Sequence, residues 1–199
     1  MLKNFLTILL LLTGVFASAQ PDAAYTNSIK AYRQQYMTQH EVVKKKDAKY
    51  FRFFPIDPAY RVNCVFERIQ DSIGFTMKTS ANTLQHYYKY GQLDFTLAGK
   101  SCRLFVYQNS ALMETKDYRD YLFVPFTDAT TGDESYGSGR YLEFYIRDIS
   151  NNTLELDFNK CYNPYCAYAS GYHCPIPPNE NNLTVAVKAG EKMFGKAHH

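Results

Sequence analysis

Apolar and polar residues alternate with a period of two along most of the chain after residue 48. This alternation is typical of β-strands that bury one face. Turn residues, among them Gly99-Lys100 and Asn151-Asn152, separate the runs and indicate about eight or nine short strands. The candidate runs are 49–54, 60–68, 73–79, 93–98, 102–108, 121–126, 140–148, 153–158 and 183–188, and 84–90 is an ambiguous tenth because His86 stands beside tyrosines. No helical patterns alternate with them, so the pattern predicts a mainly β fold, a single antiparallel β-barrel or β-sandwich domain.

The segment before these strands has a different period. Between residues 23 and 46, apolar or aromatic side chains recur every three or four positions, at Tyr25, Ile29, Tyr32, Tyr36, His40 and Val43. This spacing predicts one amphipathic helix, packed on the sheet through its aromatic stripe. We therefore divide the chain into an N-terminal helix at 20–48, a β-domain at 49–192 and a flexible tail at 193–199.

Residues 1–19 have the layout of a secretory signal peptide. Lys3 is followed by an apolar run at 5–12, and small residues stand at Ala17 and Ala19. We expect cleavage after Ala19 and a periplasmic or secreted protein. The alternative, an uncleaved anchor, is disfavoured because the run is too short to cross a bilayer, and no membrane span is expected after cleavage.

Charge and composition exclude one class of partner. The formal net charge is +3 and falls by one when Lys3 is removed. Such a balance argues against a nucleic-acid-binding protein, which needs a concentrated basic face. Eighteen Tyr, fourteen Phe and no Trp favour a β-rich domain, since aromatic residues fit pleated, half-buried surfaces.

The C-terminal loop, residues 157–191, is unusual in composition. It holds three of the five cysteines and four of the eight prolines. Proline removes a backbone donor and fixes φ, so no regular helix or strand is expected through 159–182. The segment is too rich in Tyr and Cys to be disordered. We predict a long ordered loop that packs on the sheet.

The odd cysteine count leaves at least one thiol unpaired. Cys166 and Cys174 lie eight residues apart, so a local disulfide between them is the first choice, with Cys161 as a competing partner of Cys174. The spacing of the three cysteines matches no standard zinc pattern, and no metal is expected.

Two segments carry the candidate ligand-binding chemistry, residues 128–140 and 157–181. Arg140 is suited to hold a carboxylate or phosphate in a two-pronged contact. Because 140–148 and 153–158 read as neighbouring antiparallel strands, Arg140 and Asp157 are expected close together, either in a site or as a structural salt bridge. The candidate residues are Asp128, Tyr136, Arg140, Asp157, Asn159, Tyr162, Asn163, His173, Glu180 and Asn181.

Three functions fit this pattern. The first is binding of a small polar or anionic ligand, or of a partner protein, at these two loops. The second is a hydrolase that uses Asp128, Asp157 or His173 with Arg140 as an electrostatic clamp. The third is a structural envelope protein. No nucleophile elbow or zinc-protease motif occurs, so the sequence leaves open whether the protein is an enzyme and which cofactor it uses.

Four motifs occur in order between residues 49 and 192: FFPID, YRV, PFTDATTGDESYGSGRYLE and LDFNKCYNPYCAYASGYHCPIPPNENNLTVAVKAGEK. Over this range the chain resembles the domain-of-unknown-function family 1684 of bacterial proteins. The family pattern falls on Asp128, Gly132, Tyr136, Gly139, Arg140, Tyr141, Asp157, Phe158, Asn159, Tyr162, Asn163, Pro164, Cys166, Cys174, Pro177, Pro178, Glu180 and Asn181. The resemblance implies no activity, because the family has none established. It does imply that Cys166 pairs with Cys174, since a small residue is more usual at the position of Cys161.

Overall fold

A computed structural model describes residues 23–196, so the predicted signal peptide at 1–19 lies outside the described residues. Within them, seven strands form one antiparallel sheet that curls into a half-barrel. The strands are β1 Arg61–Arg68, β2 Phe75–Lys78, β3 Leu84–Leu97, β4 Lys100–Asn109, β5 Tyr121–Phe126, β6 Arg140–Tyr145 and β7 Thr153–Asp157. Their order is β6-β5-β4-β3-β1-β7, with β2 also paired to β3. The predicted mainly β, antiparallel fold is confirmed.

The N-terminal helix is also confirmed, as α1 Ala23–Gln39, but it ends before the predicted boundary. The imidazole Nδ1 of His40 accepts hydrogen bonds from the backbone N–H groups of Val42 and Val43, at 3.2 and 3.0 Å. A side chain that takes backbone donors in this way competes with the helix. One further α-helical turn, α2, spans Ser110–Met113. Short 3-10 helices lie at Lys45–Tyr50, Pro58–Tyr60, Ile146–Asp148, Phe158–Lys160, Tyr165–Ala167 and Asn179–Asn181. No helix between residues 23 and 196 has the length and apolar character needed to cross a membrane.

The sheet has two different buried faces. Its inner face is aliphatic and is closed by residues 183–189; it includes Cys64, Phe66, Leu93, Phe95, Leu104, Val106, Leu122, Val124, Phe126, Leu142, Leu156 and Val187. The opposite face is aromatic and carries Met77, Tyr87, Tyr107, Phe123 and Tyr141. Alternation along each strand distributes its residues between these two faces.

A bulge in β3 moves that strand from one face to the other. The pairing with β4 shifts register between Lys89 and Gly91. Before the shift Tyr87 belongs to the aromatic face, and after it Leu93 belongs to the aliphatic core. A single inserted residue reverses the parity of a strand, so odd-numbered residues of β3 serve both faces.

Four predicted strands differ from the structure. Residues 84–90 and 93–98 are one bulged strand, and 49–54 contains part of a 3-10 helix and a single bridge from Phe53 to Glu191. Residues 183–188 alternate in burial as predicted but form no regular strand. In this segment the Val185 carbonyl accepts from the Ala129 backbone N–H, whereas the carbonyls of Val187 and of Ala189, just beyond it, accept from the Arg140 side chain.

The C-terminal loop is ordered and fixed to the sheet, as predicted. Cys166 and Cys174 form a disulfide, and Cys161 is a buried free thiol, which confirms the pairing implied by the family resemblance. The backbone N–H groups of Lys192, Met193 and Gly195 donate to Arg52, Glu134 and Tyr50. The first residues of the predicted flexible tail thus contact the domain, and 197–199 lie outside the described residues.

Candidate functional site

Arg140, the central residue of the predicted site, is completely buried and is bound from several directions. Its guanidinium lies 2.6 Å from the Asp128 carboxylate. It also donates to three alternate carbonyls of the C-terminal loop, those of Val187, Ala189 and Glu191, at 2.8, 2.6 and 3.1 Å. Its charge and most of its donors are therefore used inside the protein.

Asp157 does not lie beside Arg140, so the predicted pairing is wrong. The reason is topological: β6 pairs with β5, whereas β7 pairs with β1, and no β6–β7 hairpin forms. Asp157 instead accepts hydrogen bonds from the Tyr25 hydroxyl of α1 at 3.0 Å and from the Asn159 side chain at 3.1 Å. This buried network attaches α1 to the end of β7.

The other polar candidates in the C-terminal loop also have internal partners. Asn163 donates to the Lys192 carbonyl, and Glu180 accepts from the Tyr107 hydroxyl and from Lys89. Asn181 binds the backbone of β4 and β5, and Tyr136 packs in an aromatic cluster with Phe51 and Tyr168. These contacts hold the loop and its surroundings together.

Only Tyr162 and His173, among the candidates, line the main cleft of the described residues, which has a volume of about 1050 Å³. His173 is exposed at its rim, with Nδ1 3.0 Å from the Thr83 hydroxyl. Neither Asp128 nor Arg140 lines the cleft, so the structure does not bring them together with His173.

The floor of the cleft is the aromatic face of the sheet. Alternate residues of β5 and β6 line it, namely Tyr121, Phe123, Tyr141 and Glu143. Tyr87 of β3 and Asn109 of β4 extend the floor. Phe123 and Tyr141 pack edge to face with ring centroids 4.7 Å apart. Such contacts are favourable beyond simple burial and fix ring orientation.

Two further elements form the walls. The second half of α1 contributes Tyr32 and Tyr36, and His40 follows directly after the helix. The first half of α1 buries Tyr25 and Ile29 against the domain. The C-terminal loop contributes the adjoining wall, which includes Tyr162, Tyr165, Tyr172 and His173. The disulfide closes the loop segment that holds Tyr172 and His173.

Glu143 is the polar centre of the floor. Its Oε2 accepts from the hydroxyls of Tyr121 and Tyr162, at 2.5 and 2.9 Å. Both hydroxyls donate to the same oxygen, and no described residue donates to Oε1. The side chain is exposed to the cleft, and none of the ion pairs within residues 23–196 includes it.

The protonation states of the walls follow from the same geometry. Burial of the hydroxyls raises the pKa of Tyr36, Tyr121 and Tyr162 well above the ordinary value, so these residues stay neutral. Burial lowers the pKa of His40 to about 4. His40 is therefore neutral at pH 7, and since Nδ1 accepts two backbone N–H groups, its proton is on Nε2.

Comparison with family models matches residues 46–192 to the family described as "Protein of unknown function (DUF1684)". The chain belongs to this family. The resemblance found in the sequence at 49–192 is confirmed.

A solved relative shares the fold of this DUF1684 protein. The solution NMR structure of an uncharacterised protein from Haloarcula marismortui is 32% identical in sequence, covering 85% of this chain and 94% of that one, with a TM-score of 0.64. A search of curated proteins finds no match.

Sequence reasoning missed most of the cleft in this DUF1684 chain. The helix stripe was interpreted as packing on the sheet, and Tyr121 and Glu143 were placed in predicted strands without being singled out as candidates. A signal was present: β5 and β6 place aromatic residues on both faces, which is unnecessary for a face that meets water.

The described part of the DUF1684 chain, residues 23–196, contains no group of three or more His, Cys, Asp or Glu side chains placed to hold a metal ion.

Proposed function

We propose that this protein binds a small organic ligand in the cleft between α1, the aromatic face of the sheet and the C-terminal loop. The observation that carries the proposal is the cleft itself, about 1050 Å³ in volume, with Tyr or Phe at nine of its 24 lining residues. Ligand sites of small molecules typically have volumes of roughly 300–1,000 Å³, with apolar walls and a few polar groups that fix orientation.

Tyr162 and His173 keep their predicted place as ligand-contacting residues in this proposal. We assign Asp128, Arg140, Asp157, Asn159, Asn163, Glu180 and Asn181 to holding the fold, since each of them has partners inside the protein. The hydrolase alternative relied on Asp128, Asp157 or His173 with Arg140. Arg140 is held in a fully buried pair with Asp128, and Asp157 and His173 have other partners, so we prefer binding to catalysis.

We further propose that the protein is exported before it binds this ligand. The signal-peptide pattern at 1–19 supports export, and so does the Cys166–Cys174 disulfide, because disulfides persist in oxidising compartments.

A thermal-shift screen against a library of small organic compounds tests the binding function. Ala111 lines the cleft on α2 and is exposed, so Ala111→Trp would fill the cleft without removing a buried contact. Ala129→Trp is the matched control, since Ala129 is also exposed and does not line the cleft.

We expect compounds that raise the melting temperature of the wild-type protein and of Ala129→Trp but not of Ala111→Trp. The proposal would be rejected if no compound shifts the wild type, or if Ala111→Trp keeps every shift.

A further inference from the structure

The charge of the ligand can be inferred from the groups that face the cleft, an inference that rests on the binding function proposed above. We propose that the cleft recognises a small organic cation, whose ammonium group lies against Glu143 and between the rings of Tyr36, Tyr141 and Tyr162.

The charged side chains of the cleft are all acidic or weakly basic. Its lining contains Glu41 and Glu143 but no Lys or Arg. Neither carboxylate forms an ion pair with another described residue. An anion would meet these charges with no permanent cation to balance them, whereas a cation gains from both. A cleft lined by one sign of charge also concentrates ions of the opposite sign.

Glu143 has an acceptor left for such a ligand. Tyr121 and Tyr162 orient its carboxylate through Oε2 and leave Oε1 open to the cleft. A carboxylate held by two hydroxyls is fixed in place before the ligand arrives. Hydrogen bonds to a charged partner are about twice as strong as neutral ones.

The rings beside Glu143 form the second part of the site. Tyr141 and Tyr162 are nearly perpendicular, with an angle of 88° between rings and centroids 5.9 Å apart, and Tyr36 lies 6.0 Å from Tyr162. The face of an aromatic ring is negative and attracts cations, and quaternary ammonium groups are bound by such sets of rings.

Hydrogen bonds fix the orientation of these rings. The hydroxyl of Tyr36 donates to Glu191, that of Tyr141 to the Pro175 carbonyl, and that of Tyr162 to Glu143. Because the hydroxyls are engaged with the protein, the ring faces are the surfaces left to contact a ligand.

The predicted anionic ligand depended on Arg140, and that residue lies outside the cleft with no exposed surface. The charged group that faces the cleft is Glu143 and not Arg140, so the preferred ligand is a cation and not an anion.

Isothermal titration with three probes of similar size tests this inference at pH 7.5: benzyldimethylammonium, which has one N–H to donate to Glu143, N-benzylacetamide and phenylacetate. We expect the cation to bind most tightly. Glu143→Gln keeps an acceptor for both tyrosines but removes the charge, and should weaken cation binding by about tenfold or more. Glu67→Gln, on an exposed position of β1 outside the cleft, is the control and should leave the affinity unchanged.

Variants of Tyr162 separate the ring from its hydroxyl. Tyr162→Phe should retain most of the cation affinity, while Tyr162→Leu should lose about tenfold through loss of the cation–π contact.

The charge preference is overturned if the neutral or anionic probe binds as tightly as the cation, or if Glu143→Gln leaves cation binding unchanged. It is also overturned if the library compounds blocked by Ala111→Trp are mainly neutral or anionic, a result under which the binding function itself still stands. An absence of any blocked compound defeats the binding function instead.

Discussion

Arg140 and Asp128 show how a single side chain can replace a strand. The guanidinium binds the carbonyls of Val187, Ala189 and Glu191, which a neighbouring strand would otherwise bind, and Asp128 neutralises its charge. Both side chains are inaccessible to solvent. An ion pair of this kind is costly to disrupt from one side, because the remaining charge stays buried without a partner.

Arg140→Met is therefore expected to lower the free energy of unfolding by about 3–5 kcal/mol, measured by urea denaturation. The control is Arg103→Met, which breaks an exposed pair with Asp94 and should cost about 1 kcal/mol or less. Similar losses in the two variants would contradict the role given to Arg140.

Glu191 is a second buried residue with an unusual charge state. Tyr36, Tyr168 and the Asn163 backbone N–H bind its Oε2, while Oε1 is buried with no partner among the described residues. Burial raises the pKa of this carboxyl from 4.5 to about 7, and the hydrogen bonds oppose that effect.

The folded protein consequently holds a proton on Glu191 that the unfolded chain releases between pH 4.5 and 7. Stability contributed by this residue is present below pH 4.5 and is lost as the pH rises through 7, by about 3 kcal/mol in total.

Glu191→Gln should remove this dependence and give a protein more stable than the wild type at pH 8 but not at pH 4.5. Chemical denaturation across that range measures the difference. Glu134→Gln is the control with the opposite sign, since Lys188 lowers the pKa of Glu134 and its contribution is lost on acidification. A difference between Glu191→Gln and wild type that does not change with pH would refute the assignment.

At the scale of elements, the C-terminal loop is joined to the sheet by side chains that act as backbone partners. Asn181 inserts between β4 and β5: its Oδ1 accepts from the Phe105 N–H at 2.7 Å, and its Nδ2 donates to the Phe105 and Pro125 carbonyls. Pro125 has no N–H, and β4 and β5 share only one register pair, Tyr107 with Phe123. The amide therefore fills a gap in the sheet.

Asn181→Asp should reduce the free energy of unfolding by about 3 kcal/mol or more, because a carboxylate would face two buried carbonyls without a donor. Asn182→Asp provides the adjacent control: Asn182 is exposed and uses only its oxygen, which accepts from the Thr127 hydroxyl. Equal denaturation midpoints for the two variants would rule out this role for Asn181.

Elements with a clean local signal could be predicted from the sequence, and those set by distant partners could not. The turns at Ala98-Gly99 and Asn151-Asn152 have positive φ, which Gly and Asn adopt most readily. The sequence predicted the second turn at these residues and the first one residue later, at Gly99-Lys100. The β3 bulge could not be recognised from the alternation of residues. Tyr87 and Leu93 are both at odd-numbered positions, so an unbroken period of two would place them on the same face. Residues 183–188 have strand alternation without a regular strand. The Val187 carbonyl is bound by the side chain of Arg140, 47 residues away, and not by a neighbouring strand.

At the scale of the whole molecule, the site depends on which strands become neighbours. The sequence placed Arg140 beside Asp157 on the assumption that consecutive strands pair, and the sheet order separates β6 from β7 by four other strands. The cleft joins α1, near the N-terminus, to a loop more than 120 residues later, as in the contact of Tyr165 with Glu41. No local sequence pattern predicts that these two segments meet. Composition did predict that the C-terminal loop is ordered and packs on the sheet.

The last prediction concerns export of the chain and formation of its disulfide. After expression of the full chain in an exporting bacterial host, mass spectrometry should find a mature protein that begins at Gln20, with Cys166 joined to Cys174. Alkylation after unfolding should then label the three remaining cysteines, Cys64, Cys102 and Cys161.

Reduction of that disulfide should destabilise the protein by about 2–3 kcal/mol. It should also weaken ligand binding, because Tyr172 and His173 lie within the closed segment of the cleft wall. Cys102→Ser, at a free and partly buried thiol, should change neither property. A mature protein that retains residues 1–19, or a disulfide that uses Cys161, would contradict the proposed cleavage and the Cys166–Cys174 pairing. If both predictions hold, the cleft acquires its final wall only after the chain reaches an oxidising compartment, which places ligand binding outside the cytoplasm.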